Sequence, residues 1–149
     1  MSYVTVEEAD QYIAEHMLPA EAPRIYWNSL DTASKQILLN KSFAKIERLP
    51  YNSSKCSVDQ ATQFPRGRDT TVPQEVKDAQ VVEALASSDA FPGASAQRSL
   101  RMRGVRAYSI GHLSETLVGV NKPGNPMNEV SPETLTILSR FLSGGYSIC

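Results

Sequence analysis

A mainly helical fold is what the sequence predicts: a small bundle of three to four helices with an inserted β-hairpin and a long ordered loop. Three observations predict it. Apolar residues recur at three- and four-residue spacing in four separate stretches. Pro73 and Pro132 stand where a first helical turn tolerates proline. The β-rich run RSLRMRGVRAYSIGHLSETLVG interrupts the helical pattern once, before the last helix.

Thr5-Val6-Glu7-Glu8 has the form of a capping box, so a first helix is expected from about residue 6 to 17, with Ala9, Tyr12, Ile13 and Met17 on its apolar face. LPAEAPRIYWN, residues 18–28, carries two prolines and the single tryptophan and reads as an ordered connection anchored by Tyr26 and Trp27. Asp31 or Thr32 then caps a long helix to about Leu49, with Leu38, Phe43, Ile46 and Leu49 as much of its buried face, stopped by Pro50.

Residues 51–71 show no sustained period and read as a long loop, a kind of segment that is often functional. A third helix is expected from Pro73 to about Ser88, with Val76, Ala79, Val82 and Ala86 at helical spacing. DAFPGASAQ, residues 89–97, is a small-residue connection, and a hairpin about 101–118 turns at Gly111-His112. After a loop at 121–130, Ser131-Pro132 opens a short last helix through Leu135, Leu138, Phe141 and Leu142, and Gly144-Gly145 ends it before a YSIC tail. No internal repeat is present, and 149 residues make one domain, enough to bury roughly two thirds of the unfolded surface.

Composition excludes several classes. With a net charge of −1 and 41% hydrophobic residues, the chain is not a disordered polyelectrolyte, and its bulk field does not attract DNA. No apolar run approaches the roughly 20 residues that span a bilayer, and MSYVTVEEAD lacks the form of a signal peptide; synthesis in the cytoplasm is the expectation, with no membrane partner. Cys56 and Cys149 match no metal spacing and are expected as thiols. His16 and His112 have no triad or ligand pattern around them, and neither a P-loop nor a dinucleotide fingerprint occurs. The expectation is a protein that is not an enzyme, with no cofactor and no metal.

One local charge anomaly remains. Between Asp89 and Glu115 stand Arg98, Arg101, Arg103 and Arg106 and no acidic residue, and Arg66 and Arg68 lie in the preceding loop. Contact with DNA phosphates is one reading; salt bridges to a neighbouring subunit, or plain solvation, is the other. The same choice applies to Gln60–Pro73, QATQFPRGRDTTVP, which is either a clamp for phosphate or a strut for assembly.

The order YVTVEEADQYI, a tryptophan, a lysine-containing helix ending in ERLPY, then QATQFPR, VPQEVKDAQ and GVRAYSIGHLSET resembles the tailed-bacteriophage head-to-tail connector (adaptor, neck) proteins to about residue 119. Some relatives in that group are described as DnaT-like single-stranded-DNA-binding proteins, which makes a replication accessory the alternative. The resemblance implies a structural protein, made in the host cytoplasm, that forms a ring, typically a dodecamer, beneath the portal protein in the virion neck. It would lengthen the channel for genomic double-stranded DNA, without reading sequence, and seat a stopper or tail-completion protein. In such rings the hairpin, the long loop and the C-terminal end carry the contacts. For this chain that implies an interface through Phe64, Pro65 and Arg66 in the loop, and through Arg101, Arg103, Arg106 and Tyr108 on the hairpin. Ile110, His112 and Leu113 at the hairpin end, and Gly144, Gly145, Tyr146 and Ile148 in the 131–149 helix and tail, complete it.

Overall fold

The computed structural model describes residues 1–88, 90, 107–110, 113–116 and 125–143, the two short middle stretches as backbone. Among these are five α-helices: α1 (Val6–His16), α2 (Ala22–Ser29), α3 (Thr32–Glu47), α4 (Gln74–Ala86) and α5 (Pro132–Leu138). The mainly helical class is thus what the structure shows. Two short strands, β1 (Ala107–Ile110) and β2 (Leu113–Thr116), pair antiparallel with Ala107 opposite Thr116 and Ile110 opposite Leu113. The connection 89–97, apart from Ala90, and the residues joining the two strands lie outside the described residues.

The capping box opens α1. Thr5 Oγ1 accepts the Glu8 N–H at 3.2 Å, and the Glu8 carboxylate accepts the Thr5 N–H at 2.9 Å, so two orphan donors are satisfied reciprocally. Val6, Ala9 and Ile13 bury its inner face. Glu8 also takes Lys77 Nζ from α4 at 2.7 Å, and that bond, followed by the Thr5 N–H, holds the carboxyl below its ordinary value of 4.5. A depressed folded pKa means that the contribution is complete above 4.5 and is lost as pH falls through the lower folded value. Glu8→Gln should therefore lower the urea midpoint at neutral pH and match the parent in strong acid. An equal gap at both pH values would show that charge is not the cause.

The expected connection at 18–28 is in fact a helix over most of its length. Pro23 occupies the first turn of α2, where its missing N–H costs nothing, so the second proline of the segment starts a helix instead of preventing one. Trp27 is fully buried in the core, as expected, and its indole N–H donates to Asp10 at 2.6 Å, tying α2 to α1.

Asp31 caps α3 by accepting the Ser34 N–H at 3.0 Å. The buried stripe of α3 runs Leu39, Ser42, Ile46, with Leu49 just beyond its end, while Leu38 and Phe43 are only half-buried. The expected stripe is thus displaced toward a serine. Ser42 Oγ donates back to Leu39 O at 2.9 Å, which satisfies the hydroxyl and lets a small residue face the neighbouring helix.

That neighbour is α4, which packs on both α3 and α5 and is buried from Ala79 to Leu85 without a solvated face. Gln80 and Glu83 are inside it with full sets of partners: Gln80 Nε2 donates to Leu39 O at 2.8 Å and its Oε1 accepts the Tyr3 N–H at 3.0 Å. The last helix buries Leu135 and Leu138, and the following short 3-10 turn, Ser139–Phe141, buries Phe141 before Leu142. The α-helix ends earlier than Gly144. The loop at 121–130 contains another 3-10 turn, Pro126–Glu129, opened by Asn125.

Two apolar clusters result. One gathers Ile46, Leu49, Phe64, Val76, Leu135 and Phe141 between α3, α4 and α5. The other gathers Val4, Ile13, Trp27, Leu39, Val81 and Leu85 around α1 and α2. Tyr3 packs against both.

Candidate functional site

The loop 51–71 has no regular element, yet its backbone is tied down along its length. Tyr51 forms an isolated bridge to Leu142, and its hydroxyl donates to Ile46 O at 2.7 Å. Lys55 and Arg66 form a second bridge across the loop. Gln60 Nε2 donates to Thr62 O at 2.8 Å and Pro65 O at 3.0 Å, and the Gly67 N–H reaches Ser54 O at 2.9 Å. Gly67 has φ of +60°, the left-handed region, which explains a glycine between the two arginines.

Two residues from distant elements hold the tip in place. The Glu47 carboxylate, at the end of α3, accepts the Gln63 N–H on both oxygens at 3.0 Å and also takes the Tyr3 hydroxyl. Tyr3 Oη accepts the Phe64 N–H at 3.1 Å. Burial first, then the Glu47 carboxylate beside it, raises the Tyr3 phenol well above its ordinary 10.0, so it stays a donor throughout the physiological range. Tyr51 is raised in the same way, chiefly by burial.

Phe64 is fully buried, edge-on to Tyr51, Phe141 and Tyr3 with ring centroids 4.8, 5.3 and 6.0 Å away, and the Phe64-Pro65 peptide is cis. Arg66 is 9% exposed. Its guanidinium lies 5.2 Å from the Tyr51 ring centroid, donates to Gln63 Oε1 at 2.6 Å and to Gln63 O, and reaches Ser53 O. Among the described residues its Nε is the one buried side-chain nitrogen or oxygen with no partner. These bonds are internal to the loop, so Arg66 braces it and is not presented to a phosphate. Arg68, two residues on, is exposed.

The other cations of the helical body are committed as well. Lys35 pairs with Asp10 at 2.9 Å, Lys45 with Glu83 at 2.9 Å, Arg48 with Glu129 at 2.6 Å, Lys77 with Glu8 at 2.7 Å and Arg140 with Glu75 at 2.8 Å. Arg24 donates to Met17 O at 2.6 Å, and Lys55 to Gln60 O at 3.2 Å. Among the described residues, Lys41 and Arg68 remain as exposed cations with no ion pair.

Of the interface residues expected from the sequence, the structure thus brings Phe64, Pro65 and Arg66 together in one braced loop. Arg101, Arg103, Arg106, His112, Gly144, Gly145, Tyr146 and Ile148 lie outside the described residues; Tyr108, Ile110 and Leu113 are placed as strand backbone. Tyr3 and Glu47, which hold the loop, were not legible as its partners. His16 is exposed on the last turn of α1, stacked on Tyr12 with centroids 4.1 Å apart. Cys56 is an exposed thiol whose Sγ donates to Asp69 O at 3.0 Å. Among the described residues no group of histidine, cysteine and carboxylate side chains has the arrangement to hold a metal, and no helix is long and apolar enough to cross a membrane.

Residues 1–148 match the family model described as "Putative DnaT-like ssDNA binding protein". That match gives no support to the head-to-tail connector identity. No curated protein and no solved structure matches the chain. With nearly every residue covered by one model, the chain belongs to this DnaT-like family.

Proposed function

We propose that this protein is a non-catalytic single-stranded-DNA-binding accessory protein, in which a neutralised helical body carries the arginine stretch 98–106 as its nucleic-acid contact. The observation that carries this reading is the commitment of the body's cations: five sit in ion pairs and Arg66 is spent on its own loop. The chain's concentrated positive charge then falls in the segment with four arginines and no acid, and the family description supplies the class of ligand. Arginine suits phosphate because its planar fork makes two parallel hydrogen bonds.

Fluorescence anisotropy of a labelled oligothymidylate tests it. Binding should weaken with salt, at about −0.7 in log K per log salt for each phosphate contact, so roughly −3 for four arginines. Replacing Arg98, Arg101, Arg103 and Arg106 together by alanine should abolish that slope, whereas Arg66→Lys should leave it unchanged. A wild-type chain that shows no salt-sensitive binding to single strands overturns the proposal.

A second reading is favoured by the same neutralised body. A channel that passes a genome is hindered by strong basic attraction, and a net charge of −1 with a braced loop whose Arg66 is turned inward suits a structural neck protein bound to a portal and a stopper. Under that reading purified virions contain this chain in equal copy number with the portal protein; its absence from virions removes the neck role.

A further inference from the structure

Two recesses adjoin along α1 and share Tyr12 and His16. The larger, about 450 Å³, lies between α1 and the first half of α4 and has Glu8, Glu15, Lys77 and Asp78 around it. The smaller, about 260 Å³, continues past Met17, Val82 and Leu85 to Glu133 at the start of α5. Together they form a groove whose middle is the Tyr12–His16 stack, the two rings 18° from parallel.

Four carboxylates face this groove against one ammonium, and that ammonium, Lys77, is already held by Glu8 at 2.7 Å. Among the described residues Glu15 and Asp78 receive only side-chain amides, from Gln11 and Gln74, each at 2.9 Å. Glu133 is exposed and has no ion pair among the described residues. Burial, then the charges of Asp78 on α4 and Glu133 on α5, raise the Tyr12 phenol. Stacked rings rimmed by carboxylates fit a guanidinium, which lies flat on an aromatic face while its edge forks a carboxylate. The same field repels nucleic acid.

We infer that this groove receives the arginine stretch 98–106 of a second copy of the chain, with guanidinium groups laid on the Tyr12–His16 stack and paired with Glu15, Asp78 and Glu133. The occupant follows from charge complementarity. From residue 90 to 114 the chain has four arginines and no acid, while three carboxylates of the groove have no ion pair among the described residues, so segment and groove are opposite in sign. A surface of one sign and a segment of the other on every copy make a heterologous contact, in which each copy gives one side and offers the other. The inference goes beyond single-strand binding and sets a limit on it, because an arginine seated in the groove is withheld from phosphate.

Sedimentation velocity of the nuclease-treated full-length chain tests it with two variants, Glu15→Gln/Asp78→Asn/Glu133→Gln and the quadruple arginine-to-alanine chain. Glu15 and Glu133 are exposed and Asp78 is half-buried, and Trp27 fluorescence confirms that both variants fold. The wild type should self-associate at low salt and dissociate as salt rises. Each variant alone should be monomeric, and an equimolar mixture should recover a dimer, because one variant retains the arginines and the other the groove. A wild type that is monomeric at every concentration, variants that associate like the wild type, or a mixture that stays monomeric each overturns the inference. Retained salt-sensitive DNA binding by the groove variant keeps this outcome separate from that of the single-strand reading.

Discussion

Glu83→Ala should be the most destabilising single polar change among the described residues, lowering unfolding free energy by about 3–5 kcal/mol, the cost of breaking a buried ion pair from one side. Glu83 is 1% exposed in the last turn of α4. Its Oε1 accepts Lys45 Nζ from α3 at 2.9 Å and Ser87 Oγ at 2.8 Å. Its Oε2 accepts the Ser131 N–H at 2.9 Å and Thr134 Oγ1 at 3.0 Å, at the start of α5. One carboxylate therefore satisfies a cation from one helix and the opening donors of another, where the helix dipole also favours an anion.

Removing it leaves Lys45, 19% exposed, with Ser87 Oγ at 2.7 Å as its remaining acceptor, and leaves the Ser131 N–H without its bond. Glu83→Gln should lose less, since an amide oxygen still accepts while its NH₂ opposes the remaining donors. Urea unfolding followed by the single buried tryptophan, Trp27, measures both. A loss below about 1 kcal/mol for Glu83→Ala would mean that α3, α4 and α5 are held by apolar packing alone.

This hub marks the boundary of what the sequence discloses. The capping box at Thr5, the proline-started α4 and α5 and the last helix's Leu135, Leu138 and Phe141 were legible, because each signal is local and periodic. Gln80 and Glu83 stand outside the expected stripe of Val76, Ala79, Val82 and Ala86, and only the partners at Leu39, Tyr3, Lys45 and Ser131, 38 to 77 residues away, make them core. The helix at α2 was hidden by a proline whose position in the first turn is a matter of register.

The same limit applies to the candidate site. Arg66 and Arg68 are neighbours of one chemistry, yet one is sealed under Tyr51 and the other faces solvent. The acidic groove is invisible in the chain because Glu15, Asp78 and Glu133 come from three helices.

Phe64→Ala should cost about 3–5 kcal/mol, the usual loss for emptying a buried aromatic site. The ring is 1% exposed and meets three others edge-on, contacts worth about 0.5–1.5 kcal/mol each beyond their area. Phe64 is also where the loop enters the core: its N–H is taken by Tyr3, and its neighbour Gln63 by Glu47. Deleting the ring removes the apolar anchor while those hydrogen bonds remain, so the loop loosens before the helices do. Amide hydrogen exchange should then rise first between residues 51 and 71.

Arg66→Ala should fall between Phe64→Ala and Arg68→Ala. It strands the carbonyls of Ser53 and Gln63, at about 1–3 kcal/mol, whereas Arg68→Ala at an exposed position should stay within about 0.5 kcal/mol. That ranking is the signature of a braced strut, in which the aromatic residue anchors and the inner arginine ties the two sides. Small and equal effects of all three substitutions on stability would discard the strut reading of the loop.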